Sequence, residues 1–321
     1  MNLGLLLQAG HYYQYNKSTP RAHDQSEFDI RDAELAVTGT FLGDITYGVR
    51  SRRFSSLREA FVGVELSPHF SAAAGLIFAP FGAEAMIYER DLMCSSRAFS
   101  STYIAPGRET GVRCAYDLTR DEWPYTINVE VGVFNGEGPL VNGAGRVYGT
   151  PLPRVRTFRV GCSYFYAKEG RQKYTGTHTP EFHYYEEPRF GVDVAYSLAG
   201  VTFTAEYMQW FINDYPVKIN DQYWPFFAYK DAYYRGYFAT VDYHRKLRWR
   251  YFQGIQPYLR YERWEPPLVE RGYIPERRYT GGFALLFLGR NLMFRSDYTR
   301  IVEDSYATTN DCVASEFQVS F

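Results

Sequence analysis

Apolar and polar residues alternate along most of this chain with a period of two. The clearest case is the last segment, Cys312-Val-Ala-Ser-Glu-Phe-Gln-Val-Ser-Phe321, which ends on an aromatic residue. Successive side chains of a β-strand point to opposite faces. Val313 and Phe317 therefore share a face that suits lipid, and Glu316 and Gln318 share a face that suits water. An edge strand of a soluble β-sandwich can carry the same pattern, so the rest of the chain must decide between the two.

The alternation recurs about every twenty residues, as expected for ~10-residue strands joined by connections of two kinds. It predicts sixteen strands, near residues 2–14, 28–39, 45–53, 57–66, 70–79, 110–118, 124–135, 144–152, 157–167, 189–198, 201–213, 233–244, 253–264, 278–288, 291–302 and 312–321.

The predicted connections alternate strictly between short and long, with 55–56 as the one short exception. The short ones are 40–44, 67–69, 119–122, 153–156, 199–200, 247–250 and 289–290. The long ones are about 15–27, 80–109, 136–143, 168–188, 214–232, 265–277 and 303–311. An even number of strands with short periplasmic turns and long outer loops is the architecture of bacterial outer-membrane barrels. A soluble sandwich gives no reason for the alternation.

The predicted fold is therefore all-β: a transmembrane antiparallel β-barrel of about sixteen strands. The chain has no linker or composition break, so we expect one domain over residues 1–321. A barrel of this width leaves an aqueous lumen instead of a packed core. The start, Met1–Gly10, does not look like a signal peptide, and we expect it to belong to the first strand.

The period of two also predicts which way side chains face. In Tyr125–Val133 the odd-numbered residues should face lipid, while Thr126, Asn128, Glu130 and Gly132 face inward. A Lys or Arg on the lipid face near the midplane costs roughly 2–4 kcal/mol, which fixes the phase wherever charges alternate with apolar residues. The same phase places on the lumen wall Arg50, Arg52, Arg113, Arg159, Arg260, Arg295, Glu130, Asp193, Glu206, Asp242, Glu262, Asp297 and Glu316. Arg31 and Asp32 are adjacent, so we expect only one of them to point inward.

The composition argues against several classes of function. Charged residues make up 22% of the chain and aromatic residues 18%, and the longest apolar run is Phe283–Leu288. That run is far shorter than the roughly 18 apolar residues of a spanning helix. A net charge of -1 gives no electrostatic reason to expect nucleic acid as a partner. Tyrosine is abundant, with 30 residues, as expected for rings that collect at membrane interfaces.

The four cysteines do not have metal-site or disulfide-scaffold spacing. Cys114 and Cys162 fall on the apolar phase of their strands and are expected to face lipid. Cys94 and Cys312 lie in or beside predicted outer loops, and the sequence leaves open whether they form a disulfide.

The long connection after the fifth strand is dense in charged and turn residues, and in barrels of this width a loop at that position commonly folds inward. Several motifs in and around it resemble the phosphate-selective porin O and P family over roughly residues 28–152. They are Leu57–Pro68, Ala74–Gly82, Glu89–Asp91, Pro106–Gly111 and Gly132–Gly136.

The resemblance implies a passive outer-membrane channel, trimeric, surrounded by outer-membrane lipid, and constricted by its third loop at about 80–109. Such a channel needs no cofactor and passes small solutes or anions. Family members that prefer phosphate use basic residues along the lumen and constriction. The candidate pore-lining residues are Arg50, Arg52, Arg90, Arg97, Arg108, Arg113 and Glu130. Inward acids and bases are nearly balanced, so we expect a weak anion preference; a solvated wall of mutual ion pairs is the alternative interpretation of these arginines.

Other functions have less support in the sequence. His178, Glu181 and His183 could ligate a metal from one loop, but no third histidine accompanies them, and a polar outer loop is the better interpretation. No Ser/His/Asp grouping can be localised, so we expect no enzyme activity. Two aromatic stretches, Tyr223–Tyr229 and Phe182–Tyr185, raise a second hypothesis. In it, the barrel is a subunit or scaffold of a larger envelope complex and binds a protein partner through its outer loops. An aromatic girdle that extends into the loops is the alternative.

Overall fold

Sixteen long β-strands dominate the computed structural model. The structure describes residues 1–15, 25–53, 55–120, 123–136, 141–152, 157–174, 180–215, 218–219, 222–223, 230–247, 249–266, 275–288, 291–304 and 309–321. The strands are β1 Asn2–Tyr15, β2 Gln25–Phe41, β3 Ile45–Arg52, β4 Ser56–Ser67, β5 Phe70–Phe78, β6 Arg108–Asp117, β7 Thr126–Asn135, β8 Val141–Thr150, β9 Phe158–Tyr174, β10 Pro180–Leu198, β11 Val201–Tyr215, β12 Lys230–Tyr243, β13 Phe252–Glu265, β14 Glu276–Phe287, β15 Leu292–Glu303 and β16 Thr309–Ser320.

Each strand pairs antiparallel with the next, and the first pairs with the last. Leu6 of β1 lies opposite Ser320 of β16, and Tyr15 lies opposite Asp311. The sheet is therefore closed, which confirms the predicted sixteen-stranded antiparallel barrel. Two-residue strands at Lys218–Ile219, Gln222–Tyr223 and Arg245–Lys246 are accessory to the ring.

The described helical segments all lie in the connection between β5 and β6. They are two 3-10 turns, Glu84–Met86 and Glu89–Asp91, and one short α-helix, α1, at Phe99–Tyr103. No described helix has the length and apolar character needed to cross a membrane.

Tight turns close one end of the barrel. The two-residue connection Ala199–Gly200 has φ angles of 50° and 86°. Positive φ at both positions is the type I′ geometry, whose twist matches that of the flanking strands. Both chain termini lie at this end, where the Phe321 amide donates to the Leu5 carbonyl at 2.9 Å. In outer-membrane barrels this is the periplasmic end.

The facing of the side chains follows the period of two. On β7, Glu130 is buried inside, whereas Val131 and Val133 are 52% and 58% exposed on the outer surface. Most of the predicted wall charges are buried on the inner side: Arg50, Arg260, Arg295, Glu130, Asp193, Glu206, Asp242, Glu262, Asp297 and Glu316. Arg113 is partly exposed, and Arg52 and Arg159 are exposed.

The predicted strict alternation of connection lengths is wrong at the loop end. The predicted loop 168–188 is mostly strand, because β9 runs to Tyr174 and β10 begins at Pro180. The connection between β7 and β8, 136–140, is shorter than the turn between β6 and β7, 118–125. Beyond the membrane both faces of a strand meet water, so no apolar period marks the extended strand ends.

A β-bulge overturns the prediction for Arg31 and Asp32. The β1–β2 register shifts between Gln8 and Ala9, so that Gln8 lies opposite Asp32 but Ala9 lies opposite Ile30. The extra residue is Arg31, whose guanidinium donates to the Ser95 carbonyl at 3.0 Å and to Glu316 at 3.4 Å. Both side chains therefore point into the barrel, since a bulge breaks the alternation locally.

The lumen is not wholly aqueous, contrary to expectation. Inward apolar side chains form a packed cluster with part of the β5–β6 connection. Its buried members are Ile77, Ala79, Phe81, Ile104, Phe134, Ala144, Phe165, Ala167, Met208, Ile212, Tyr234 and Trp264. Part of the barrel interior is thus a dry core that holds the connection in place.

The assignment of faces predicts a contrast between two substitutions on β7. Val131→Arg should lower the free energy of unfolding in lipid by about 2–4 kcal/mol, because the charge would face hydrocarbon near mid-strand. Asn128→Arg, on the inner face beside Glu130, should change it by much less. Urea unfolding of the refolded barrel in phospholipid vesicles measures both. Equal destabilisation by the two variants would contradict the assignment.

Candidate pore constriction

The connection 79–107 turns inward directly after β5. Gly82 lies at this turn with a φ of +71°, and a Cβ there would meet Met208 Cε at 2.5 Å and Glu206 Oε1 at 2.8 Å. Glycine therefore permits both the left-handed backbone and the close approach to β11.

Carboxylates of the barrel wall accept hydrogen bonds from the backbone of this connection. Glu206 accepts from the Ala83 amide at 2.7 Å and from the Glu84 amide at 3.2 Å. Asp297 accepts from the Ser95 amide at 3.0 Å. Glu262 accepts from the Phe99 amide at 2.8 Å. Amide groups that have no helical or sheet partner are thereby satisfied.

Arginines of the wall bond to the carbonyls of the same segment. Arg146 donates to Gly82 O at 2.7 Å, Arg260 donates to Ser96 O at 3.0 Å, and Arg295 donates to Leu92 O at 2.7 Å. The contacts come from β8, β11, β13 and β15, on the inner face of the sheet. A segment that touches this face on so many strands lies inside the closed ring.

A polar cavity of about 220 Å³ remains between the connection and one side of the wall. Strands β1, β2, β3, β15 and β16 form its outer boundary. The lining residues are Gln8, Arg31, Asp32, Arg52, Glu89, Leu92, Ser95, Ser96, Arg97, Thr102, Arg295 and Glu316. Bases and acids are both present, so the cavity is strongly polar without a dominant sign.

Three of the predicted arginines surround one tyrosine of the connection. The guanidinium carbons of Arg50, Arg90 and Arg108 lie 4.3, 5.5 and 5.7 Å from the centre of the Tyr88 ring. Burial, and then the Glu59 carboxylate, raise the pKa of the Tyr88 hydroxyl, which donates to Glu59 at 3.2 Å. Arg108 is the first residue of β6 and not a loop residue as predicted.

The predicted arginines differ in how far their charge is neutralised. Arg50 is buried between Glu34 at 2.8 Å and Glu59 at 3.1 Å. Arg97 pairs with Glu89 at 3.3 Å and donates to the Glu84 and Ile87 carbonyls, so it stabilises the loop.

Arg52 and Arg90 have the most exposed charged groups among the predicted arginines. The Arg52 side chain is 48% exposed beside Asp32, and the Arg90 side chain is 38% exposed beside Asp91.

Arg113 and Glu130 lie apart from the predicted arginines that gather at the connection 79–107. They pair with each other at 3.6 Å, and Glu130 also accepts from the Tyr148 hydroxyl at 3.1 Å. Glu130 lines a separate cavity of about 220 Å³ with Asn128 and His69, towards the end with tight turns. The structure thus brings together five of the seven predicted residues.

Sequence analysis missed Arg58, which is central to the cluster. Arg58 pairs with Asp32 and lies 2.8 Å from Glu89 of the connection. The register of β3 with β4 shifts between Arg50 and Ser51, which lie opposite Glu59 and Leu57. Arg58 is the extra residue, and the bulge turns it inward next to Glu59. A run of adjacent opposite charges, Arg58-Glu59, is the only sequence signal for this feature.

Cys94 lies buried in the connection, and Cys94 and Cys312 are both free thiols, so the disulfide left open by the sequence is not formed. Burial raises the pKa of the Cys94 thiol to about 12. The thiol therefore stays protonated at neutral pH and is a sensitive probe for opening of the segment.

The remaining hypotheses fall largely outside the described residues. His178 and most of 223–229 are not described, while Phe182–Tyr185 belongs to β10. Among the residues that the structure describes, no group of three or more His, Cys, Asp or Glu side chains could hold a metal ion.

The fold matches solved outer-membrane proteins over nearly the whole chain. An anion-selective porin from Comamonas acidovorans aligns with a TM-score of 0.64 at 8% identity, covering 100% of this chain and 99% of that one. OmpF of Salmonella typhi, in complex with daunomycin, aligns at 0.63 and 13% identity, covering 99% and 97%. The outer membrane channel DcaP of Acinetobacter baumannii aligns at 0.62 and 10% identity, covering 100% and 96%. No known family profile and no curated protein matches the sequence.

At these identities the similarity shows the fold, which is the sixteen-stranded barrel of outer-membrane porins. Apolar side chains cover the outer surface between the two ends, among them Leu5, Val62, Val131, Leu259 and Phe317. The protein is therefore a barrel of the bacterial outer membrane.

The hydrogen bonds at Glu206 predict that removing its carboxylate will loosen the connection 79–107. In a background where the other three cysteines are alanine, Glu206→Ala should make Cys94 react with a maleimide at pH 8, because two buried amides lose their acceptor. The parent should stay almost unreactive. Asp242→Ala is the matched control, since that buried carboxylate accepts from Gln256 of the wall at 2.8 Å. Equal labelling of the two variants would show that Glu206 has no special role.

Proposed function

We propose that this barrel is a porin that lets small hydrophilic solutes and ions diffuse passively across the outer membrane, without enzymatic activity and without a cofactor. The observation that carries the proposal is the polar cavity between an inward-packed connection and the wall of a sixteen-stranded barrel. The connection 79–107 would be the constriction, and solutes would pass on the side lined by Arg52, Arg97 and Glu89.

The charges along this route support a weak preference for anions. Most arginines near the cavity are paired with acids at short distance, so the net field is small. Arg52 and Arg90 also pair with acids, Asp32 and Asp91, but their side chains keep a large exposed fraction. A fully selective pore would require an unbalanced ring of charge.

As part of the same proposal, we assign this porin to the phosphate-selective O and P type. Its sequence motifs fall on β4, on β5 with the inward turn at Gly82, on the 3-10 turn Glu89–Asp91, on the start of β6 and on β7. They therefore lie in the proposed constriction and on the strands next to it. We also propose a homotrimer, the form in which one structural neighbour, OmpT of Vibrio cholerae, was solved; it aligns with a TM-score of 0.56 at 9% identity. No described residue favours the scaffold hypothesis.

Reconstitution tests the channel directly. The purified barrel in planar lipid bilayers should give stepwise conductance in salt alone, with no added protein or nucleotide. Correctly folded protein, identified by its heat-modifiable migration on a gel, that forms no pores would reject the proposal in favour of partner binding.

Selectivity depends on the exposed arginines in this proposal. Replacing both Arg52 and Arg90 by Ala should lower the anion-to-cation permeability ratio by about twofold, and high salt should blunt the change because charges are screened over about 10 Å at 0.1 M. Arg250→Ala, which removes an exposed charge at the opposite end, should leave the ratio unchanged. The reversal potential in a salt gradient is the measurement. Arg97→Ala is less informative, since it also removes bonds to the loop backbone.

A further inference from the structure

The outer surface of four adjacent strands repeats one arrangement of two residue types. Each of β12 to β15 carries a tyrosine and, two positions nearer the loop end, an arginine. The pairs are Tyr237 with Arg235, Tyr261 with Arg263, Tyr279 with Arg277, and Tyr298 with Arg300. Spacing by two puts each pair on one face. Arginine precedes tyrosine in the sequence of β12 and β14 and follows it in β13 and β15. Neighbouring strands run in opposite directions, so all four arginines lie on the loop side of the tyrosine row.

The burial pattern shows that these pairs face outward and not into the lumen. On β13, Leu259 is 69% exposed and Tyr261 and Arg263 share its phase, while Arg260 and Glu262 are buried inside. The tyrosine rings contact one another across the strands, with centroids 6.1 Å apart for Tyr237 and Tyr261 and 5.2 Å apart for Tyr261 and Tyr279. The row is an interfacial aromatic belt above an apolar surface.

The arginines lie at the depth of the lipid headgroups. Two residues along a tilted strand move a side chain by about 5 Å towards the outside, taking ~3.3 Å per residue and a tilt near 40°. The headgroup layer extends about 5–8 Å beyond the hydrocarbon on each side. With the tyrosines at the hydrocarbon boundary, the guanidinium groups fall in the layer that holds lipid phosphates. The loop end of the barrel faces outward, so this is the outer leaflet.

Two carboxylates hold three of the guanidinium groups side by side. Asp304 lies 2.8 Å from Arg263 and 2.7 Å from Arg277. Glu265 lies 2.9 Å from Arg263 and also pairs with Arg235.

These bonds use one or two of the five donor hydrogens of each guanidinium. The side chains of Arg235 and Arg277 remain 47% and 40% exposed on the outer surface. The row is thus pre-organised and keeps donors for a further ligand.

The charge of the row favours an anion. Four arginines face two bridging acids, and Asp311 on β16 lies opposite Arg300, so a positive excess remains. Planar guanidinium groups bind phosphate through paired hydrogen bonds. We propose that this Tyr–Arg row binds the phosphorylated headgroup of an outer-leaflet lipid, with its acyl chains on the apolar surface below the tyrosines. The site is outside the lumen and does not depend on the channel proposal.

Titration of the intact barrel in detergent with lipid A, a phosphorylated glucosamine lipid, tests the site. Binding is followed by native mass spectrometry. The parent should bind lipid A at least tenfold more tightly than dephosphorylated lipid A. Each arginine of the row replaced by Gln should weaken binding about fivefold, as expected for basic residues near anionic lipid. Inorganic phosphate at equal concentration should not compete.

Two neighbouring arginines of β14 provide the matched comparison. Arg277→Gln removes a charge from the row, whereas Arg278→Gln removes one from the inner face, where Arg278 lies 3.8 Å from the Phe99 ring. Only Arg277→Gln should reduce lipid binding. Arg300→Gln, which leaves the bridges of Glu265 and Asp304 intact, takes its place if Arg277→Gln does not fold.

Three results would overturn the proposal. The first is unchanged binding in folded Arg277→Gln and Arg300→Gln. The second is an equal loss in Arg278→Gln, which would indicate general electrostatic attraction. The third is displacement of lipid A by inorganic phosphate, which would indicate a site for the free ion instead.

Discussion

The hydrogen bonds from the wall to the backbone of residues 79–107 determine the rest of the interior. This segment has only three short helical turns, so most of its amides and carbonyls cannot satisfy one another. Buried backbone groups without partners cost free energy comparable to a lost hydrogen bond. Carboxylates such as Glu206 meet the amides, and arginines such as Arg295 meet the carbonyls. The wall therefore has to carry both signs of charge.

This requirement explains why so many inward charges give so small a field. Each arginine that supports the segment is itself held by acids: Arg295 by Glu316, and Arg146 by Asp193 at 2.8 Å. Breaking such a pair leaves a buried charge without compensation, which costs several kcal/mol. Charges that support the loop are thus unavailable to attract a solute, and exposed side chains such as Arg52 are left to influence which ions pass.

The sequence predicted the strand count and most side-chain facings, because lipid penalises a wrong phase wherever a strand crosses the membrane. Glu130 and Val131 follow that rule. The prediction failed where lipid exerts no such pressure. Bulges turned Arg31 and Arg58 inward, and a bulge cannot be read from a single strand. Phe134 and Trp264 face inward although they are apolar, because they pack under the connection. Strand ends beyond the membrane, as in β9 and β10, have no apolar face to reveal them.

Two adjacent arginines of β14 have different surroundings because they lie on opposite faces of the strand. Arg278 points inward, pairs with Glu276 and stacks over Phe99 of the buried connection. Arg277 points outward, is 40% exposed, and pairs with Asp304 above the tyrosine row. A shift of one residue in register would exchange these roles and place the inner charge in lipid. The register of this strand is therefore constrained from both sides at once: the packed loop fixes the inner face, and the membrane boundary fixes the outer one.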